Sequence, residues 1–100
     1  MKEIKNYLKQ YLLQEAKIKR LNEMLEVKKK PIYKQELKNA EALRDEIENK
    51  IRGIDDTLLS ELLYQKYILG KTLEEISFNL NYSVRQIERL HKKALEKIAL

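Results

Sequence analysis

Turn-forming residues are nearly missing from this chain. Its 100 residues include two glycines, Gly53 and Gly70, and one proline, Pro31. Tight β-hairpins lean on dipeptides such as Asn-Gly, and none is present. A sheet of several strands would lack its punctuation, whereas helices need to be interrupted only a few times. The expected fold class is therefore all-α. Hydrophobic residues at 43% are too many for a disordered chain, and charged residues at 37% suit thin helical layers. The length fits one domain, or a small domain with an appended helical element.

Apolar spacing divides the first half in two. Ile4, Tyr7, Tyr11, Ile18, Leu21 and Leu25 alternate steps of three and four, a heptad-like stripe broken by Gln14 and flanked by Leu8 and Leu12. Lys28, Lys29 and Lys30 follow, favourable at the negative end of a helix dipole, and Pro31 opposes continuation. Extending that stripe would place Gln35, Asn39, Glu46 and Asn49 inward. The stripe actually present is Tyr33, Leu37, Ala40, Ile47, Ile51 and Ile54, with Leu43 beside it, in another phase. A phase break at a proline predicts two helices folded back as an antiparallel hairpin over residues 1–53. Glu46–Lys50 and Glu48–Arg52 are spaced for ion pairs on its outer face.

Residues 54–100 read as three further helices. Gly53, Asp55 and Asp56 mark a bend and a start, and Leu58, Leu59, Leu62, Leu63, Tyr67 and Ile68 supply apolar surface up to about Leu69. Gly70 ends that helix, because glycine accepts the left-handed conformation of many helix C-termini. Thr72 with Glu75, and Ser83 with Gln86, each have capping-box spacing. Asn81, between them, tolerates positive φ. Two independently capped helices about three residues apart predict a helix-turn-helix.

On the last helix, placed from Ser83 to Ile98, Ile87, Ala94 and Ile98 cluster, with Val84, Leu90, His91 and Leu95 on the flanks. Arg85, Glu88, Arg89, Lys92, Lys93 and Glu96 fall opposite, so the cations face outward. Taken alone, such charge describes an ordinary solvated helix. In a helix-turn-helix, however, the first turns of the second helix enter the major groove. Arg85 and Arg89 then lie where base edges are read, and Lys92 and Lys93 where phosphates run. Thr72, Tyr82, Ser83 and Gln86, at the two helix starts, complete the expected DNA-binding set.

The net charge of +5 is uneven. Residues 1–30 hold nine cations and four acids, residues 54–80 sum to −3, and residues 81–100 to +3. An acidic polymer would select such segments, as would an acidic protein or a membrane surface. There is no cysteine, which excludes disulfides and thiolate metal sites. The start, MKEIKNYLKQ, has no apolar signal core, and no apolar run approaches the ~18 residues of a membrane span. A soluble, cytoplasmic protein without membrane contact is expected. His91 is the only histidine, so a metal ligand would have no histidine or cysteine partner, and packing accounts for it better. Glu74 and Glu75 are explained by capping and the dipole. No glycine-rich phosphate loop or nucleophile elbow occurs. Neither an enzyme, nor a metal, nor a cofactor is expected.

The stretch GKTLEEISFNLNYSVRQIERLHKKALEKI, with LLYQKYIL before it, resembles region four of housekeeping-type bacterial RNA polymerase sigma factors. It is more similar still to phage and prophage late-gene transcription activators of the ArpU and RinA type, in YI-G-T-EEI and YS-RQI-RLH-AL. The resemblance covers about Asp55 to Ile98. It implies a helix-turn-helix that binds double-stranded DNA and a regulator accessory to RNA polymerase, with polymerase contact through the same unit. The sigma positions that read the promoter fall on Val84, Arg85 and Arg89, where the housekeeping factors typically carry other residues. The resemblance therefore does not carry over their usual promoter element.

The expected function is a sequence-specific transcriptional regulator of the phage late-gene activator kind. The alternatives are a polymerase- or protein-binding modulator with a coiled-coil element, or a phage DNA-packaging component. The N-terminal helices are expected to form a homo-oligomer or bind a partner through Ile4, Tyr11, Ile18 and Leu25. Phe78 points nearly opposite Ile76 and Leu80 on its helix. A lone exposed aromatic is common and often carries no role; the alternative is that it packs on the hairpin, another protomer or polymerase.

Overall fold

The computed structural model describes residues 2–100, whose regular elements are all helices, with no strand among them. Helix α1 runs Lys2–Val27 and α2 runs Pro31–Arg52. Pro31 opens α2, where its missing N–H breaks no helical bond, and Lys30 before it is extended at φ −83° and ψ 135°. The phase break is thus a real turn. The helices return antiparallel: Tyr7 donates to Glu46, Tyr11 Oη donates to Glu48 Oε1 at 3.3 Å, and Arg44 meets Glu15 at 3.0 Å.

The two ion pairs expected on α2 fare differently. Arg52 reaches Glu48 at 3.3 Å. Glu46 instead accepts the Tyr7 hydroxyl, while Lys50 Nζ donates to the Ala99 carbonyl at 2.8 Å and lies 5.0 Å from the centre of the Tyr7 ring. The start of α1, the end of α2 and the last residues of the chain are thereby fastened together.

Helix α3 covers Thr57–Leu63, capped by Asp56, whose carboxylate accepts from the Leu59 N–H at 3.1 Å. It does not continue as a regular helix to Leu69. Residues Tyr64–Ile68 form a π-helical segment, with the Leu69 N–H bonded to the Tyr64 carbonyl at 3.1 Å. The cause lies in side-chain spacing. At about 100° per residue, Ile68 would stand on the side of the helix opposite Leu59. A wider turn brings Ile68 round, so Leu59, Leu62, Leu63, Tyr67 and Ile68 are all buried. Gly70 then closes the element at φ +72°, in the expected left-handed conformation.

Helices α4, Leu73–Leu80, and α5, Val84–Glu96, each begin with a complete capping box. The Thr72 hydroxyl accepts from the Glu75 N–H at 3.1 Å while Glu75 accepts from the Thr72 N–H at 3.0 Å; Ser83 and Gln86 do the same at 3.1 and 2.9 Å. Between the helices Asn81 takes φ 63° and ψ 39°. Ser77 Oγ donates to the Tyr82 carbonyl at 2.6 Å, bracing the turn. Helix α5 ends slightly before Ile98, because the Lys97 and Ile98 N–H groups bond three residues back, to Ala94 and Leu95. Ile98 is buried all the same.

One cluster of buried side chains runs through both halves. Leu8, Tyr11, Ile47 and Ile51 of the hairpin share it with Leu59, Leu62, Ile76, Ile87, Ala94 and Leu95. Only one end of the hairpin enters this cluster. The other end extends away, giving a body of 49 × 25 × 22 Å.

Candidate nucleic-acid interface

The position of α5 follows from what it buries. Ile87, His91, Ala94 and Leu95 are buried, and Leu90 is partly buried against the same cluster. With this side clamped, the opposite side has one direction to face. Arg85, Arg89, Lys92 and Lys93 are all exposed there, within an arc of about 100° at helical spacing. None enters the ion pairs among the described residues, which join Arg44 to Glu15 and Asp45, and Arg52 to Glu48. The four cations are therefore presented to solvent outside any ion pair, with Glu88 and Glu96 on the same face leaving it a net excess of two positive charges.

Arg85, Gln86 and Arg89 occupy the first two turns of α5, and Lys92 and Lys93 the third. Tyr82, Gln86, Arg89, Leu90 and Lys93 line a shallow depression of about 270 Å³ beside the turn. Tyr82 is 37% exposed, with a ring able to lie against a sugar or base. The expected residues Tyr82, Arg85, Gln86, Arg89, Lys92 and Lys93 are thus gathered along one helix and the turn before it. Ser83 and Thr72 use their hydroxyls as caps. Thr72 also stands beside Glu74 and Glu75, which oppose a phosphate there, and backbone bonds from Thr72 hold the Glu75 carboxyl below its ordinary range.

The inner side of α5 contains one polar contact that spacing alone does not disclose. His91 Nε2 lies 2.8 Å from the Tyr67 hydroxyl, with the rings stacked at 5.8 Å, and both residues are buried. Burial first, and then nearby Lys66 and Lys5, push the imidazole down to about 4, so it is neutral at pH 7. Burial likewise raises the Tyr67 hydroxyl to about 12. The pair is a satisfied core contact joining the π-helical segment to α5. Among the described residues no group of three or more histidine, cysteine or acidic side chains is placed to hold a metal ion.

The expected partner-binding residues fall into two sets. Tyr11 and Ile18 are buried, and Ile4 and Leu25 are half-buried, on the side of α1 turned toward α2. Tyr11 and Ile18 are closed off by their own chain, and a second copy would reach them only by opening the hairpin, whereas Ile4 and Leu25 keep part of their surface. Phe78 is the converse case. At 85% exposure it lies outside the buried cluster and the side chains packed against it. Sequence spacing did not single out the outer face of α1, where Leu13 is 57% exposed.

The chain matches no protein-family model, no curated protein and no solved structure. No helix among the described residues is long and apolar enough to cross a membrane.

Proposed function

We propose that the protein is a sequence-specific DNA-binding transcriptional regulator, of the phage or prophage late-gene activator kind, acting in the cytoplasm on double-stranded DNA. The observation that carries this reading is the exposed, unpaired arc of Arg85, Arg89, Lys92 and Lys93 on the second helix of a doubly capped helix-turn-helix. A major groove is wide enough to admit such a helix. Arg85 and Arg89 read base edges from the first two turns, and Gln86 lies between them. Lys92 and Lys93 meet phosphates, and Tyr82 packs beside the backbone.

The roles separate experimentally. Bound fragments selected from random duplex DNA and then footprinted give the preferred site. On that site Arg89→Ala costs about 1–3 kcal/mol and relaxes preference at one base, and Arg85→Ala behaves likewise at another. Lys92→Ala weakens every sequence alike and lowers the salt slope by about one unit. Equal loss on all sequences from all three variants would reject base reading.

A second reading, a protein-binding modulator working at RNA polymerase, draws on the exposed Phe78. Binding that survives high salt and needs no duplex would favour it over the first.

A further inference from the structure

Two features remain outside the helix-turn-helix. One is Phe78, projecting from α4 at 85% exposure with Glu74 and Glu75 beside it and Lys71 at the edge. The other is on the outer face of α1, where Leu13, Gln14, Ala16, Lys17 and Arg20 surround a shallow hollow of about 460 Å³. Leu13 is 57% exposed at its rim. Neither feature finds its complement within the chain.

Neither face suits a copy of itself. If two α1 helices paired antiparallel about Leu13, Lys9 of each copy would oppose Lys17 of the other. Parallel pairing would set Arg20 against Arg20. Two α4 faces would bring Glu74 and Glu75 together with their equivalents. Like charges held in register repel, and desolvation at an interface sharpens the cost.

The two faces do suit each other. One offers an aromatic ring flanked by acids, and the other an apolar hollow edged by two cations. Lys17, Arg20 and Glu74 take part in none of the ion pairs among the described residues, so all three are available. We propose that a second copy of this chain covers the α1 hollow, its Phe78 seated against Leu13 and Ala16 and its Glu74 facing Lys17 and Arg20. Because the two patches differ, the contact is heterologous, and each copy keeps one free patch for the next. The cationic arc of α5 supplies none of these contacts. The inference stands apart from the DNA-binding reading.

Sedimentation velocity on the full chain, over a concentration series into the high micromolar range, tests it. The expected result is reversible growth in mass with concentration, weakened by salt. Phe78→Ser and Leu13→Asp each weaken association at least about tenfold, equivalent to about 1.4 kcal/mol. When mixed, the two single variants form a one-to-one dimer and nothing larger, since each retains the patch the other has lost. Glu74→Lys also weakens association, and a chain carrying Arg20→Glu restores binding to it. These charge variants repeat the test should either apolar variant melt early. A chain that stays monomeric throughout, or variants that fail to complement on mixing, would overturn the proposal.

Discussion

His91 shows at the scale of one residue how burial changes what a side chain does. Its imidazole is held neutral down to about 4, against about 6.5 in an unfolded chain. Between those values the unfolded chain binds a proton that the folded chain refuses. This contribution to stability is therefore complete above about pH 6.5 and is lost as the pH falls toward 4. At 1.36 kcal/mol per unit, the loss is roughly 1–3 kcal/mol. Urea titrations at pH 7.5 and 4.5 measure it, with the double variant Tyr67→Phe/His91→Leu as reference for carboxylate titration. The wild type should lose more stability over that interval than the double variant. His91→Leu alone, which strands a buried hydroxyl, should cost about 1–3 kcal/mol at pH 7.5. The sequence placed His91 at the edge of an apolar face and favoured packing over metal binding. Its partner was hidden, because Tyr67 arrives from another helical element, 24 residues earlier in the chain.

At the scale of elements, legibility followed locality. Capping boxes are contacts across three residues, and both Thr72–Glu75 and Ser83–Gln86 form as their spacing indicated. Asn81 and Gly70 adopt the left-handed backbone for the same reason, since that preference belongs to the residue itself. The π-helical segment was not legible: its i→i+5 bonds answer the demand of Tyr67 and Ile68 to face a core built by distant helices. The fate of Lys50 was equally hidden, because its acceptor is a carbonyl far along the chain. The caps matter to the interface as well as to the fold. Ser83→Ala removes an acceptor for the Gln86 N–H at the point where α5 begins, and should cost about 1 kcal/mol. A fall of roughly 4–8 °C in Tm corresponds to that loss in a domain this size. If the first turn of α5 enters DNA, affinity should fall alongside it on every sequence.

The core joins the two halves at the scale of the whole molecule. Leu8, at the base of α1, is fully buried in the cluster that holds Ile76 and Ile87. Leu8→Ala should accordingly cost about 2–5 kcal/mol and broaden or abolish cooperative melting of both halves together. A peptide of residues 54–100 alone should melt at much lower temperature than the full chain, since it gives up Leu8, Tyr11, Ile47 and Ile51 as packing partners. Circular dichroism melts of the two chains measure that difference. Two melting steps in the full chain, one matching the peptide, would show the halves to be independent.

The chain passes from the third helical element to α4 at Gly70, where an added Cβ would stand 3.3 Å from a methyl of Leu12. That crossing therefore runs close against the base of α1. The far tip of the hairpin stands about 33 Å from that base, at 1.5 Å per residue over the 22 residues of α2. Because that base and α5 share one buried cluster, a load applied at the tip would be carried to the helix that bears Arg85 and Arg89.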